Sequence, residues 1–253
     1  MDFLQAIFLG LVQGLTEWLP VSSSGHLVIA QNLMGLEVPV AFDIALHAGT
    51  LLAVFVFFRK DILMLLKSLR KPSLKNPDFR LLFYVILGTI PTAIIGLAFL
   101  EFFESLFLST KAVGLGLLIT GVLLLLSRYG KSGRNLDGKR SLLVGIFQGI
   151  SIAPGISRSG ATISGGLLSG VKREEVFRYS FILSIPAILG ASLLEVGDIS
   201  SSEMGILALA GAAVAAVSGY FAIRIVQKAL LSHRFHLFAA YCFALGAIVL
   251  LFV

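Results

Sequence analysis

Residues 10–25 have the sequence GLVQGLTEWLPVSSSG, and residues 145–160 have the sequence GIFQGISIAPGISRSG. Six positions are identical in the two stretches, each separated from its counterpart by 135 residues: Gly10, Gln13, Gly14, Ser22, Ser24 and Gly25 match Gly145, Gln148, Gly149, Ser157, Ser159 and Gly160. The match continues at the same offset with Gly35 and Gly170, and with Phe42 and Phe177. The chain therefore contains an internal repeat.

The composition is typical of a polytopic membrane protein. Hydrophobic residues make up 57% of the 253 residues and charged residues 13%, whereas an average soluble domain has about 25% charged residues. The mean hydropathy is +0.96, so the chain has more apolar surface than one soluble core can bury. These values exclude a soluble enzyme, a disordered chain and a coiled coil. Cys242 is the only cysteine, which excludes a disulfide framework and a thiolate metal cluster.

Membrane topology accounts for the excess of positive charge. The net charge is +6, from 20 basic and 14 acidic residues, and 18 of the basic residues fall in segments 59–80, 128–140, 172–178 and 224–234. By the positive-inside rule these segments face the cytoplasm, and the acidic connectors at 101–104 and 195–203 face outside. Nucleic acid is therefore not an expected partner.

Six apolar segments are candidates for spanning helices, which need about 20 predominantly apolar residues. They are residues 40–58, 81–100, 112–126, 176–194, 205–223 and 237–253. The predicted fold class is therefore an all-α polytopic membrane protein, with residues 1–253 in a single integral membrane domain.

Two further apolar stretches, 3–36 and 141–170, are too long for one span and are interrupted by Pro, Gly and Ser. Each half has about a dozen residues, which suits a helix that enters the membrane only partway. Non-helical backbone at membrane depth is tolerated only inside protein or beside a wet cavity. We therefore predict two re-entrant helix–loop–helix hairpins. The alternative is two tightly paired full spans in each stretch.

Each repeat contains one hairpin and three spans, the first within residues 1–128 and the second within 141–253. Because three is an odd number, the second hairpin must start on the opposite side of the membrane from the first. The sequence thus predicts an inverted-topology repeat whose two broken helices meet near the membrane midplane.

Ionisable residues accompany both interruptions. Glu17 and His26 flank the first, and Arg158 lies in the second. Buried charges in a membrane are costly and by default indicate function, and the predicted repeat brings these three residues together. Gln13 lies four residues before Glu17, so the two share one helix face.

The second interruption, PGISRSGAT at residues 154–162, has the features of a phosphate site. Its glycines allow the backbone to approach a ligand closely, and hydroxyls and amides at a helix start donate hydrogen bonds. Arg158 adds a guanidinium fork that matches phosphate oxygens. These features together predict an anion site, although each alone is weak evidence.

Structural roles are alternatives for several residues. Glu17 and Arg158 would then form only an ion pair, and His26 would be a helix-cap histidine. Asp43 and His47, again four residues apart, suggest either a metal or proton pair or a structural bond. The serines expected only to cap helices are Ser22 and Ser159.

The two interruptions also carry a family resemblance. Residues 13–26, QGLTEWLPVSSSGH, resemble the first signature of bacterial undecaprenyl pyrophosphate phosphatases, and residues 154–162 resemble the second. The likeness extends over the whole chain in length, hydropathy and motif spacing. It implies removal of the terminal phosphate from a C55 isoprenoid diphosphate, which regenerates the lipid carrier of cell-wall synthesis. It also implies bacitracin resistance, because that antibiotic sequesters the diphosphate.

The resemblance further implies a site, a cofactor and a location. The functional residues carried over by motif are Gln13, Glu17, Ser23, His26, Ser157, Arg158 and Thr162. A divalent cation, Mg²⁺ or Ca²⁺, would be held by Glu17 with diphosphate oxygens and water. Position 13 is Glu or Gln in the family; because it is Gln13 here, a mechanism with two carboxylates from that helix is in doubt. The implied location is the bacterial plasma membrane, with the site open to the outer face. The expected partners are the lipid substrate, membrane lipids and, as one option, a second copy of the chain.

A mechanism follows as a hypothesis. Arg158, the Ser157 hydroxyl and the amides around Gly160 bind the phosphoryl oxygens, and Thr162 steadies that turn. Glu17 holds the cation with help from Gln13, and His26 activates the nucleophile or serves as it. The attacking group stays open among Ser23, Ser157, His26 and water.

Two other functions fit parts of the sequence. Inverted repeats with broken helices describe many secondary transporters, so the alternative function is a transporter or lipid flippase that binds the diphosphate headgroup. Type 2 phosphatidic acid phosphatases use Ser-Gly-His and Ser-Arg elements similar to residues 24–26 and 157–158. Their Lys…Arg-Pro and His-x-x-x-Asp elements are absent from the sequence, and we reject that class.

Overall fold

The computed structural model describes residues 1–131, 133–195 and 205–252, without the side chains of Leu194 and Glu195. Its regular structure is helical; the described residues form no strand, only an isolated bridge between Arg134 and Val171. The α-helices are α1 Phe3–Trp18, α2 Ser23–Leu33, α3 Val40–Phe57, α4 Arg59–Ser68, α5 Pro77–Ala98, α6 Leu100–Phe107, α7 Thr110–Ser127, α8 Gly138–Ile150, α9 Arg158–Leu168, α10 Arg173–Glu195, α11 Gly205–Leu231 and α12 Phe238–Phe252. A 3₁₀ turn, Phe235–Leu237, precedes α12.

Six helices are long and apolar enough to cross a membrane, which confirms the predicted polytopic fold. They are α3, α5, α7, α10, α11 and, together with its 3₁₀ turn, α12. The predicted bounds differ most at α11, which continues to Leu231, eight residues beyond the predicted end. The last two turns of α11 contain Arg224 and Lys228 and therefore resemble a loop in a hydropathy profile.

The two predicted interruptions lie between α1 and α2 and between α8 and α9. In the first break Pro20 ends the helix, and Ser22 adopts a φ of 67° before α2 begins. In the second, Gly155 has a φ of 83°, a conformation that glycine adopts without steric cost. The four helices around the breaks have 16, 11, 13 and 11 residues. All are shorter than a span, and their entry from opposite sides of a membrane stays a prediction.

The first helix of each broken pair packs against a spanning helix of the other predicted repeat. Helix α1 packs along α11, and α8 packs along α5. A Cβ atom on Gly10 would lie 2.4 Å from the Gly211 carbonyl oxygen, and one on its counterpart Gly145 would lie 2.0 Å from the Gly88 carbonyl oxygen. These helices approach closely because glycine stands at both contacts. The two breaks lie next to each other inside the bundle, where Glu17 and Arg158 form an ion pair.

Two short helices were not predicted. Helices α4 and α6 follow α3 and α5 directly, and each has one mainly exposed polar side. Glu101 and Glu104 of the first acidic connector are exposed on α6. The second predicted acidic connector, residues 195–203, lies outside the described residues apart from the backbone of Glu195.

Candidate active site

The two breaks meet at an ion pair between Glu17, at the end of α1, and Arg158, at the start of α9. Nη2 of Arg158 contacts Oε1 of Glu17, and the two side chains are only 15% and 8% exposed. The other carboxylate oxygen, Oε2, accepts a hydrogen bond from the Ser23 hydroxyl at 2.5 Å. One buried carboxylate thus connects both interruptions.

Gln13 extends this cluster along the buried face of α1. Its Nε2 donates a hydrogen bond to Oε2 of Glu17 at 3.1 Å, as expected for residues four apart on a helix. Gln13 is fully buried, and its Oε1 has no hydrogen-bond partner among the described residues. Because a buried oxygen without a partner is costly, it marks a place where a ligand or cation would be stabilised.

Two aromatic side chains border the ion pair. The Arg158 guanidinium carbon lies 4.8 Å from the ring centroid of Trp18, which is fully buried. His47 of α3 places Nε2 3.9 Å from Oε2 of Glu17, while its Nδ1 lies 2.9 Å from the backbone oxygen of Asp43. The Asp43 carboxylate accepts a hydrogen bond from Gln31. His47 therefore belongs to the same polar cluster as Glu17.

The remaining residues of the second motif point inward and hold the turn. Ser157 is the N-cap of α9 and accepts the Gly160 amide at 3.2 Å, whereas the sequence-based expectation for this role was Ser159. The cap falls two residues earlier because α9 begins at Arg158. Thr162, fully buried, contacts the Ser180 hydroxyl at 2.5 Å. Ser22 caps α2 as expected, accepting from the Gly25 amide at 3.4 Å.

His26 is held at both ring nitrogens. Nδ1 lies 2.7 Å from the backbone oxygen of Ser22, and Nε2 lies 2.7 Å from the hydroxyl of Tyr241 on α12. The two rings stack with centroids 5.7 Å apart. His26 is half-buried and makes no hydrogen bond or ion pair with Glu17 or Arg158 in the described chain. The structure thus places it beside the ionic cluster and not within it.

Several contacting residues were missed from the sequence. Thr120 of α7 accepts the Ser157 amide at 2.9 Å and donates to the Gly155 carbonyl at 3.0 Å, so it fixes the second break. Tyr241, Ser180 and Trp18 are the others. Trp18 lies within the first motif but was read there only as an apolar residue. Thr120, Ser180 and Tyr241 are single residues outside the motifs, and their only sequence signal was a polar atom within an apolar segment.

The oxygen donors around Glu17 fit a hard divalent cation in part. The carboxylate and the unpaired Oε1 of Gln13 are the ligand types that Mg²⁺ and Ca²⁺ prefer. No cluster of three or more His, Cys, Asp and Glu side chains with metal-binding geometry occurs among the described residues. The chain therefore offers an incomplete oxygen shell, which suits a cation that also binds phosphate oxygens and water.

The fold and these contacts define a class: a multi-pass membrane protein with a buried acid–base pair between two broken helices. A family model for the "Bacitracin resistance protein BacA" matches residues 6–248. The chain belongs to this family. It is similar to the undecaprenyl-diphosphatase of Korarchaeum cryptofilum, with 45% identity covering 99% of both chains. The proteins of the same name from Methanosphaera stadtmanae and Carboxydothermus hydrogenoformans are 40% and 43% identical; 99% of this chain matches 98% and 97% of theirs.

Proposed function

We propose that this protein is an integral membrane phosphatase that hydrolyses undecaprenyl diphosphate to undecaprenyl phosphate and inorganic phosphate. The observation that carries the proposal is the buried Glu17–Arg158 pair at the meeting of the two breaks. The names of the full-length relatives supply the substrate. The protein would thereby recycle the lipid carrier of cell-wall synthesis, and this recycling would also confer resistance to bacitracin.

Arg158 is the proposed phosphate-binding group. Its guanidinium can donate two parallel hydrogen bonds to phosphate oxygens, and Trp18 limits its movement by packing against it. A diphosphate carries several negative charges, so it competes with Glu17 for the guanidinium. Substrate binding then exchanges the internal ion pair for an Arg158–phosphate contact and releases one carboxylate oxygen.

Ser23 is the proposed nucleophile. Its hydroxyl already donates to Glu17, the arrangement of a nucleophile beside its base. Ser23 Oγ forms a bond to the terminal phosphorus while its proton passes to Glu17, and the bond to the bridging oxygen breaks to release undecaprenyl phosphate. Water then hydrolyses the phosphoserine, one water proton restores the Ser23 hydroxyl, and inorganic phosphate leaves with the proton that Glu17 had taken up. Ser157 is less suited, because its hydroxyl is buried and caps α9.

Glu17 and Oε1 of Gln13 are the groups that would hold a divalent cation. When bound, the cation supplies charge neutralisation on the diphosphate. His26, fixed by Ser22 and Tyr241, would orient or protonate a phosphate oxygen from beside the cluster.

The isoprenoid tail would lie in an apolar groove between α3 and α11. This groove has a volume of about 300 Å³, and its walls include Leu52, Ala53 and Tyr220. A Cβ atom on Gly219 would lie 3.3 Å from Cβ of Ala53 and 3.1 Å from Nε1 of Trp18, so the groove adjoins the cluster. The site is proposed to open to the outer face of the bacterial plasma membrane.

Phosphate release from undecaprenyl diphosphate by the purified protein in detergent tests this proposal. We expect release that requires a divalent cation, stops with EDTA and is lost in Arg158→Ala. Arg80→Ala, at an exposed arginine of α5, is the matched control. Absence of release from folded wild-type protein would contradict the phosphatase and favour a transporter that only binds the headgroup. A cation requirement unchanged in Glu17→Gln would remove Glu17 as the metal ligand.

A further inference from the structure

A second polar cavity lies at the predicted cytoplasmic end of the bundle. It is formed where α7 ends, α10 begins and the 3₁₀ turn precedes α12, and its volume is about 170 Å³. The lining residues are Ser127, Arg128, Arg173, His233, Phe235 and His236. We propose that this cavity, the basic cavity, is a second phosphate-binding site, separate from the Glu17–Arg158 cluster.

Charge is the first support for this proposal. Four of the six lining side chains are basic and none is acidic. Glu174, next to Arg173 in sequence, is exposed and interacts electrostatically with Arg173 without forming an ion pair, and Glu175 accepts a hydrogen bond from the Leu136 amide at 2.6 Å. The lining residues of the basic cavity thus include no carboxylate, and Glu174 offsets only part of their positive charge.

These basic side chains also lack protein partners. Among the described residues, Arg140 pairs with Asp137, and Arg178 pairs with Asp61 and Asp78. In contrast, the four basic residues of the cavity form no hydrogen bond or ion pair with any described side chain, although Arg128 and His233 are exposed to solvent and only Arg173 and His236 are half-buried. The Nε of Arg173 is buried and without a hydrogen-bond partner in the described chain. Because a buried donor without a partner is destabilising, a bound oxyanion would remove a cost at this site.

Helix dipoles do not explain this clustering. Arg128 follows the last residue of α7 and His233 follows the end of α11, positions where a cation interacts favourably with a helix C-terminus. Arg173, however, is the first residue of α10, where the helix end is partially positive. Glu174 and Glu175 in the same first turn offset part of this positive charge. An anion bound beside Arg173 would offset more of it, since helix N-termini bind anions readily.

His233 gives independent support. Its amide bonds to the Leu230 carbonyl and the Arg234 amide bonds to the Ala229 carbonyl, the pattern of a Schellman helix end. His233 is the residue with positive φ, at 60°, where glycine is usual. A side chain in this conformation is disfavoured relative to glycine, yet here it places an imidazole at the basic cavity. Local strain of this kind is typical of functional positions.

A phosphate group fits the size and location of the basic cavity. Guanidinium groups match phosphate oxygens, and basic pockets at the cytoplasmic ends of spanning helices bind lipid phosphates. Ser127 is seven residues along α7 from Thr120, the residue that fixes the second break, a distance of about 10 Å. The two sites are therefore close but do not share residues.

Binding of ³²P-labelled inorganic phosphate by equilibrium dialysis tests the proposal. The experiment uses full-length Arg158→Ala protein in detergent, at a temperature below its measured unfolding transition, so that the central site does not contribute and the protein is folded. We expect Arg158→Ala to keep binding phosphate at the basic cavity. Adding Arg173→Gln should weaken this phosphate affinity at least tenfold. Lys228→Gln, at an exposed lysine of α11, should leave it unchanged. Loss of all binding in Arg158→Ala alone, or no effect of Arg173→Gln, would overturn the second site.

His233→Gly separates binding from folding. Glycine removes the strain at the helix end, so the unfolding temperature should rise, while loss of the imidazole should weaken phosphate binding several-fold. Opposite changes in these two measurements support the proposal. Higher stability with unchanged binding would show that His233 has no part in the site.

The source of the phosphate group is tested by competition. The protein is placed in nanodiscs of zwitterionic phosphatidylcholine with bound ³²P-labelled phosphate. Unlabelled inorganic phosphate and farnesyl phosphate are then compared for their ability to displace this label. Displacement by both would identify a site for the phosphate group alone, and much stronger displacement by farnesyl phosphate would identify a lipid-borne phosphate. If neither displaces the label, the binding is not specific and the proposal fails.

Discussion

Ser23 and Arg158 occupy counterpart positions of the two repeat motifs, 135 residues apart, and both donate to the carboxylate of Glu17. The repeat is not symmetric in chemistry, because the counterpart of Glu17 is Ile152 and that of His26 is Ala161. Two similar breaks therefore form one site around a single acid. The first break supplies the hydroxyl and the carboxylate, and the second supplies the guanidinium.

We expect that a lysine ammonium group cannot replace the Arg158 guanidinium in phosphate release. Arg158→Lys keeps a positive charge for Glu17 and should fold, but it loses the two-pronged contact with phosphate. We expect phosphate release to fall by about 100-fold or more. Steady-state kinetics together with thermal unfolding measure the two effects separately, with Arg80→Lys as the control. Near-wild-type turnover would mean that the site needs only a point charge.

Removal of one partner of the ion pair should destabilise the protein more than removal of both. Glu17→Ala leaves Arg158 with an uncompensated buried charge, at a cost of about 3–5 kcal/mol. The double variant Glu17→Ala/Arg158→Met replaces the charge with an apolar side chain of similar length. Its unfolding temperature should therefore exceed that of Glu17→Ala. The single variant Arg158→Met completes the comparison. If the losses in unfolding temperature of Glu17→Ala and Arg158→Met simply add in the double variant, Glu17 and Arg158 do not interact in the folded protein.

Tyr241→Phe tests whether the Tyr241 hydroxyl supports turnover by holding the His26 ring in place. The variant keeps the stacked ring and removes only the hydroxyl that contacts Nε2 of His26. We expect a loss of turnover of about tenfold, with little change in unfolding temperature. In a His26→Ala background the same substitution should have no further effect on turnover. Equal losses in both backgrounds would indicate that Tyr241 acts independently of His26.

The sequence predicted the spans and the breaks because both depend on local composition. Apolar length indicates a spanning helix, and Pro20, Pro154 and Gly155 stand among small polar residues, a combination that interrupts a helix, whereas Pro91 and Pro186 lie inside α5 and α10. The short helices α4 and α6 were missed, since their mixed polar and apolar residues resemble loops in a hydropathy profile. The helix start at Arg158 also moved the cap from the expected Ser159 to Ser157.

Contacts between distant elements could not be predicted in the same way. Thr120 and Tyr241 reach the site across 37 and 215 residues of sequence, from helices that are otherwise apolar. Nothing adjacent to either residue distinguishes it from a polar residue packed inside a bundle. His47 was noticed for its spacing from Asp43, but only the fold places it beside Glu17.

The glycines where α1 packs on α11 and where α8 packs on α5 should tolerate no side chain. Gly10→Ala and Gly145→Ala each place a Cβ atom within 2.4 Å of a backbone oxygen, which the packed helices cannot accommodate without moving apart. We expect each to lower the unfolding temperature by about 5 °C or more. Gly190→Ala in α10, with no atom within 4 Å of its Cβ, is the control and should be neutral or stabilising. Equal stability of all three variants would contradict the close helix contacts.

Gln13→Glu should make the protein depend more strongly on a divalent cation. The substitution puts a second carboxylate one turn from Glu17, at a fully buried position whose Oε1 has no partner among the described residues. Two oxygen-donor carboxylates raise affinity for Mg²⁺ or Ca²⁺, so the cation concentration for half-maximal phosphate release should fall about tenfold. Without cation the two negative charges repel each other in a buried site, and the unfolding temperature in EDTA should be lower than that of the wild type.

Gln13→Ala is the matched control for this prediction, because it removes the amide without adding charge. It should leave the unfolding temperature insensitive to Mg²⁺. The cation site is thereby tested through stability as well as through activity. If Mg²⁺ does not stabilise Gln13→Glu, the oxygens of residues 13 and 17 do not share a cation.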